Sequence, residues 1–323
     1  MLSFQVYDMM KLKRLKALRR GELIHKILYE VIFMSTRRIQ KLVTGSVQYD
    51  GAGVKLVRVI GTQTVKDFDP FLMLDAFDST DPEEYIKGFP THPHRGIETI
   101  TYLIHGEIEH QDSLGNKGVI TDGGCQWMTA GGGILHQEMP QARERMLGVQ
   151  LWLNLPKKDK MTYPEYRDIL PHMVPRFSSE EGIIKVITGE YKNKKSTVTG
   201  DYLKMNFLDI ELYPGKTLTL DTPEGDTTLA YLFSGAGVFE EGKEAVPEKH
   251  AILFTSGNQV TVTALSEGLR FLLISAPPLR ESIAWGGPIV MNTSEELNQA
   301  FADLKDGSFT KKSRCKECDN MIY

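Results

Sequence analysis

Eight histidines occur in the chain, and five of them (His92, His94, His105, His110 and His136) fall between positions 92 and 136. Two belong to His92-Pro93-His94, and a third opens His136-Gln137-Glu138. Residues i and i+2 of an extended strand point to the same side. Each tripeptide therefore presents two ligand-type side chains to one face. Two such strands facing each other would gather three neutral imidazoles and one carboxylate. That set suits Fe(II), Mn(II), Ni(II) or Zn(II). The carboxylate and the open positions it leaves favour an ion that handles redox chemistry or dioxygen. A structural zinc site would draw on thiolates instead. Glu98 shares the parity of His92 and His94 along the chain and is a further candidate, either as a ligand or as a carboxylate that orients one. His105 and His110 flank a predicted hairpin from Gly106 to Gly115 and are read as solvated or as outer partners of the ligands. His172 and His250 stand alone and are read as structural.

These side chains need strands to hold them, and the sequence supplies them. From Ile39 to about Ile274, short runs rich in Val, Ile, Thr, Leu and aromatics alternate with Gly, Pro, Asp and Asn turns. Val54–Ile60, Ile97–Ile104, Leu147–Leu153, Asn206–Leu212 and Leu269–Ser275 are examples. The spacing predicts β-sandwiches or closed barrels. No alternation of strands with long amphipathic helices appears, which disfavours a doubly wound fold. Gly131-Gly132-Gly133 precedes His136 without the Lys-Ser/Thr of a phosphate loop, so it is read as a tight turn beneath a ligand. One helix is well signalled near the end. Thr293 and Glu296 form a capping box, Leu297, Ala300, Phe301 and Leu304 mark one face, and Gly307 offers a C-cap.

Composition bounds the remainder. The 323 residues suit two domains, and 41% hydrophobic with 25% charged residues is a globular balance. A net charge of −4 argues against a protein-wide nucleic-acid surface. It is unevenly spread, because residues 1–41 hold ten basic and three acidic groups. Residues 1–36 are read as a basic extension, disordered or helical, with Met34 as an alternative start. A transit peptide and a membrane- or partner-binding helix are the competing readings. Three cysteines cannot build a disulfide framework, which points to a reducing, cytoplasmic location. Cys125 is read as a core thiol. Cys315-Lys-Glu-Cys318 is read as part of a tail, since half a zinc site or a redox pair lacks its context here. No apolar run reaches the ~20 residues that span a bilayer.

The stretches Thr91-His-Pro-His-Arg-Gly-Ile-Glu-Thr99 and Gln126-Trp-Met-Thr-Ala-Gly-Gly-Gly-Ile-Leu-His-Gln-Glu-Met-Pro140 closely resemble the pirin family of the cupin superfamily. Phe71–Asp75, Gly148–Pro156 and Ala284–Asn292 add to the likeness, which spans about residues 37–309. The resemblance implies an all-β bicupin: two stacked antiparallel jelly-roll barrels and a short C-terminal helix. The division it suggests is 37–165 for a metal-bearing barrel, 166–290 for a barrel without metal, 291–309 for the helix and 310–323 for a tail. It also implies one Fe(II) held by His92, His94, His136 and Glu138.

Some pirin-like proteins open the ring of quercetin-type flavonols with dioxygen and release carbon monoxide. By that likeness the expected activity is a quercetin 2,3-dioxygenase acting on a small flavonol-like aromatic and O₂. Glu138 would be the base that takes the flavonol hydroxyl proton, and Arg95 would help attract the anion. The alternative implied by the same family is a metal- and redox-dependent regulatory protein that binds a protein partner without turnover. Neither reading calls for direct nucleic-acid contact.

Overall fold

The computed structural model describes residues 35–310. The expectations for the basic extension up to residue 34 and for Cys315 and Cys318 lie outside them. Apart from two short α-helices and three 3₁₀ turns, the described elements are strands.

In chain order the first twelve strands are β1 (Ile39–Thr44), β2 (Ser46–Asp50), β3 (Val54–Ile60), β4 (Phe71–Ser79), β5 (Phe89–His94), β6 (Ile97–His105), β7 (Ile108–Asp112), β8 (Lys117–Ile120), β9 (Cys125–Thr129), β10 (Ile134–Pro140), β11 (Met146–Asn154) and β12 (Glu165–Ile169). Helix α1 (Val65–Phe68) precedes β4. Strands β2 to β12 build the first barrel. A seven-stranded sheet, β12-β9-β6-β11-β4-β3-β2, faces a four-stranded sheet, β5-β10-β7-β8.

The second barrel is one nine-stranded sheet. Its strands from this half of the chain are β13 (Arg176–Ser178), β14 (Gly182–Thr188), β17 (Asn206–Leu212), β18 (Thr217–Asp221), β19 (Thr227–Val238), β20 (Val246–Pro247), β21 (His250–Phe254) and β22 (Gln259–Ala276). Strands β15 (Glu190–Tyr191) and β16 (Lys194–Lys195) form a small hairpin beside it.

Burial follows the pleat. Along β10, Ile134, His136, Glu138 and Pro140 are buried and Leu135, Gln137 and Met139 half-buried. Strands β6 and β11 are buried on both faces, apart from His105 at the end of β6. One face of β6, with Thr99, Thr101 and Leu103, closes the first barrel. The other carries Ile100, Tyr102 and Ile104 into a core shared with Phe207, Leu229, Tyr231, Leu253, Leu272 and Ile274 of the second barrel. Within that shared core, the Tyr102 hydroxyl donates to Asp209 at 2.7 Å, and Arg270 grips the same carboxylate through Nε at 3.1 Å and Nη2 at 2.7 Å. A buried carboxylate held by three donors is compensated rather than orphaned. A separate apolar cluster fills the second barrel, including Ile184, Ile210, Leu232, Phe254, Val262 and Phe271.

The sheets do not divide the chain at the expected positions. Strand β1 pairs with β21 and so belongs to the second barrel. Arg37, just before it, is buried there and donates to Thr222, Pro223 and Thr255. Strand β12, which crosses the expected boundary at 165/166, completes the first barrel beside β9. In return, β23 (Ala284–Gly286) and β24 (Ile289–Met291) form a hairpin that packs on the first barrel, joined by a bridge between Arg95 and Ile289. The C-terminal helix α2 (Ser294–Asp306) follows, with the Thr293–Glu296 capping box and Gly307 at φ 82°. Among the described residues, no helix is long and apolar enough to cross a membrane.

Candidate metal centre

Strands β5 and β10 lie antiparallel, with His92 opposite His136 and His94 opposite Ile134. This pairing brings the histidines together. The donor nitrogens of His92, His94 and His136 all lie within 4.8 Å of one another. The rings of His92 and His136 are 4.4 Å apart, those of His94 and His136 5.0 Å.

The outer nitrogens fix two tautomers. His92 Nδ1 is 2.9 Å from the Pro90 carbonyl, and His94 Nδ1 is 3.1 Å from the Pro288 carbonyl. A carbonyl only accepts, so each Nδ1 carries the proton and each Nε2 keeps a lone pair. Those two Nε2 atoms are 3.0 Å apart. Both nitrogens of buried His136 have no hydrogen-bond partner. Burial and the neighbouring imidazole of His92 push the His94 pKa down to about 3. Burial likewise holds His136 well below the usual imidazole value, helped by His94, His92 and His110. Three converging imidazoles, one of them buried with both nitrogens unpartnered, are a donor set that suits a divalent transition ion.

Glu138 lies next along the same face of β10, but its carboxylate is not in this cluster. It accepts from Gln150 Nε2 at 3.0 and 2.8 Å and from Thr101 Oγ1 at 3.1 Å. Gln150 is itself aimed by Trp152, whose Nε1 donates to Gln150 Oε1 at 3.2 Å. The structure thus unites three of the four expected ligands and places the fourth beside them, anchored from the opposite sheet. Gln150, Thr101 and Trp152 are not among the candidates that residue type and spacing offered. Gln150 carried a signal: it is a lone amide inside the apolar run Leu147–Leu153.

Glu98 points elsewhere. Gly96, at φ 79°, turns the chain between β5 and β6, and a Cβ there would sit 2.0 Å from the Val290 carbonyl oxygen. Parity does not survive that turn. Glu98 is buried on the opposite face of β6 from Thr101, and accepts from Thr129 at 2.7 Å. Arg95 does not face the site either. It pairs with Asp303 at 2.6 Å, donates to the Phe309 carbonyl and lies 4.2 Å from the Phe309 ring centre, so it fastens helix α2 to the barrel. His110 is not solvated. It is buried, stacked on Tyr166 at 4.3 Å, with Nε2 3.2 Å from Asp168. Its register position opposite Glu138 puts it inside the barrel. The inward alternation of Ile108, His110 and Asp112 carried that signal. His105 is exposed and pairs with Asp122, and Cys125 is a buried free thiol.

A cavity of about 620 Å³ opens beside the histidines. His92, His94 and Glu138 line it, with Met73, Phe89, Trp152, Trp285 and Pro288 as apolar wall. Two of these, Trp285 and Pro288, come from the β23–β24 hairpin, which sequence reasoning assigned to the other barrel. A concave space that combines aromatic walls with converging polar groups is the form of a small-molecule site.

Comparison with known proteins agrees with this architecture. The Pirin family model matches residues 53–153, and the Pirin C-terminal cupin domain matches residues 207–310. A pirin-like protein of Caulobacter vibrioides is 40% identical over 279 residues, covering 85% of this chain and all of that one. Human pirin is 36% identical over 276 residues, covering 84% and 93%. The crystal structure of a quercetin 2,3-dioxygenase from Acinetobacter baumannii superposes with a TM-score of 0.78 at 33% identity, over 85% of this chain and 99% of that one. The chain belongs to the pirin family, as a bicupin whose first barrel carries the histidine cluster.

Proposed function

We propose that this protein is an iron-dependent dioxygenase that opens quercetin-type flavonols with O₂ and releases carbon monoxide. The observation that carries the reading is the convergence of the His92, His94 and His136 nitrogens, two of these residues lining a cavity walled in part by Trp152 and Trp285. An Fe(II) ion held by His92, His94 and His136 would act as a Lewis acid on the flavonol oxygens and as a path for electrons to dioxygen.

The chain's own residues do the rest. Trp152 and Trp285, with ring centres 6.0 Å apart, offer flat surfaces to a flat substrate. Glu138 is the proton acceptor for the flavonol hydroxyl. The hydrogen bonds it accepts from Thr101 and Gln150 hold its carboxylate in place on the cavity wall. The likeness to the Acinetobacter baumannii enzyme supports the choice of substrate class.

The test is product analysis. Protein loaded anaerobically with Fe(II) and then given quercetin and O₂ should release carbon monoxide as the flavonol absorbance falls, and metal-free protein should release none. Stoichiometric iron binding with no carbon monoxide would overturn the reading and favour a redox-dependent binding protein.

A further inference from the structure

The floor of the cavity is the inner face of the seven-stranded sheet, and its cross-strand registers sort it into two rows. Thr99, Trp152 and Met73 are neighbours on β6, β11 and β4. The next row on the same face is Thr101, Gln150, Asp75 and Arg58, on β6, β11, β4 and β3. Met73 and Trp152 of the first row line the cavity, as do Gln150, Asp75 and Arg58 of the second. Asp50, from the end of β2, closes the outer end of the polar row.

The polar row starts at the proposed base, since Thr101 and Gln150 hold Glu138. It ends in an ion triad. Arg58 donates to Asp75 through Nε at 2.9 Å and Nη2 at 2.7 Å, and the same Nη2 reaches Asp50 at 2.7 Å. Nε and Nη2 of Arg58 are thus committed to the two carboxylates. With two carboxylates against one guanidinium, this end of the cavity carries a net charge of −1. Carboxylates accept and do not donate, so the ligand groups that fit here are hydroxyl donors. Sharing one Arg58 nitrogen keeps the two carboxylates close enough for neighbouring hydroxyls of one ring to reach both. An anionic substituent would be repelled.

We infer that Asp75 and Asp50, bridged by Arg58, form a recognition subsite for vicinal hydroxyls on an aromatic ring of the substrate, the far end of a flat molecule that stacks on Trp152 and meets the histidines at its other end. The inference rests on the aromatic substrate class proposed above. It adds that the protein selects a catechol-bearing substrate and rejects one with a charged group on that ring.

Binding and turnover can be separated. Quenching of tryptophan fluorescence, measured anaerobically, compares quercetin, a flavonol lacking hydroxyls on the pendant ring, and a flavonol sulfated there. The wild type should bind quercetin roughly 10- to 100-fold more tightly than the unhydroxylated flavonol, the value of a lost charge-assisted hydrogen bond, and bind the sulfated one more weakly still. Asp75→Asn should collapse that preference toward parity. Asp50→Asn, at an exposed position, should reduce it and also relieve the exclusion of the sulfate. Equal wild-type affinity for the three ligands would overturn the inference, as would an undiminished preference in both variants. If Asp75→Asn fails to fold, the wild-type ratio and Asp50→Asn decide. A preference seen in binding with no carbon monoxide under O₂ would sink the dioxygenase reading and leave the subsite standing.

Discussion

Single side chains show how far spacing can be trusted. His92, His94 and His136 meet because i,i+2 parity holds within one strand and because β5 and β10 are paired in register. Glu98 does not join them, because Gly96 breaks the parity two residues earlier. Its burial has a measurable consequence. Loss of solvation pushes its carboxyl from 4.5 up to about 7. An acid whose pKa is raised by folding binds more protons in the native state than in the unfolded one. The stability associated with it is therefore complete below about pH 4.5 and is lost as pH rises through about 7. Glu98→Gln should flatten thermal stability across that window, gaining on the wild type at pH 8 and gaining nothing at pH 4.5. Thermal melts at a series of pH values would show it, and an unchanged slope would count against this account of Glu98.

Elements explain what positions the centre from outside its own barrel. The β23–β24 hairpin supplies the Pro288 carbonyl that fixes the His94 tautomer and the Trp285 wall of the cavity. Lys160 pins it in place, donating to Val290 on the hairpin, to Gly96 at the end of the His-Pro-His strand, and to Asn154. Helix α2 holds the same region through the Arg95–Asp303 pair. That helix was legible in the sequence to its caps, because capping is local chemistry written in adjacent residues. Thr293 accepts from the Glu296 amide at 3.2 Å, while Glu296 accepts from the Thr293 amide at 3.1 Å. Thr293→Ala should cost about 1 kcal/mol of stability, read as a shift in the chemical denaturation midpoint with unchanged slope. A loss near zero would mean that packing alone fixes the helix end.

At the scale of the molecule, the two barrels exchange segments. β1 crosses into the second barrel, and the hairpin and helix from the C-terminal side return to the first. Strand content and fold class were legible, since alternation and turn residues are local. The assignment of strands to barrels was not, because alternation says which face of a strand is buried and not which sheet buries it. Gln150 stood out only as a lone amide in an apolar run, and its grouping with Asp75 and Arg58 was hidden for the same reason. They become one row only through the pairing of β11 with β4 and of β4 with β3, both of which lie far from β11 in sequence. Two barrels sharing one core and trading segments hold the histidines, the carboxylate and the aromatic wall in fixed relation, as chemistry on a bound substrate requires. The most direct test is oxygen uptake by the Fe(II)-loaded protein on addition of quercetin, with His136→Ala beside it. The account predicts metal-dependent uptake that the substitution abolishes along with iron binding. Uptake that persists in His136→Ala, or its absence from fully iron-loaded wild type, would contradict it.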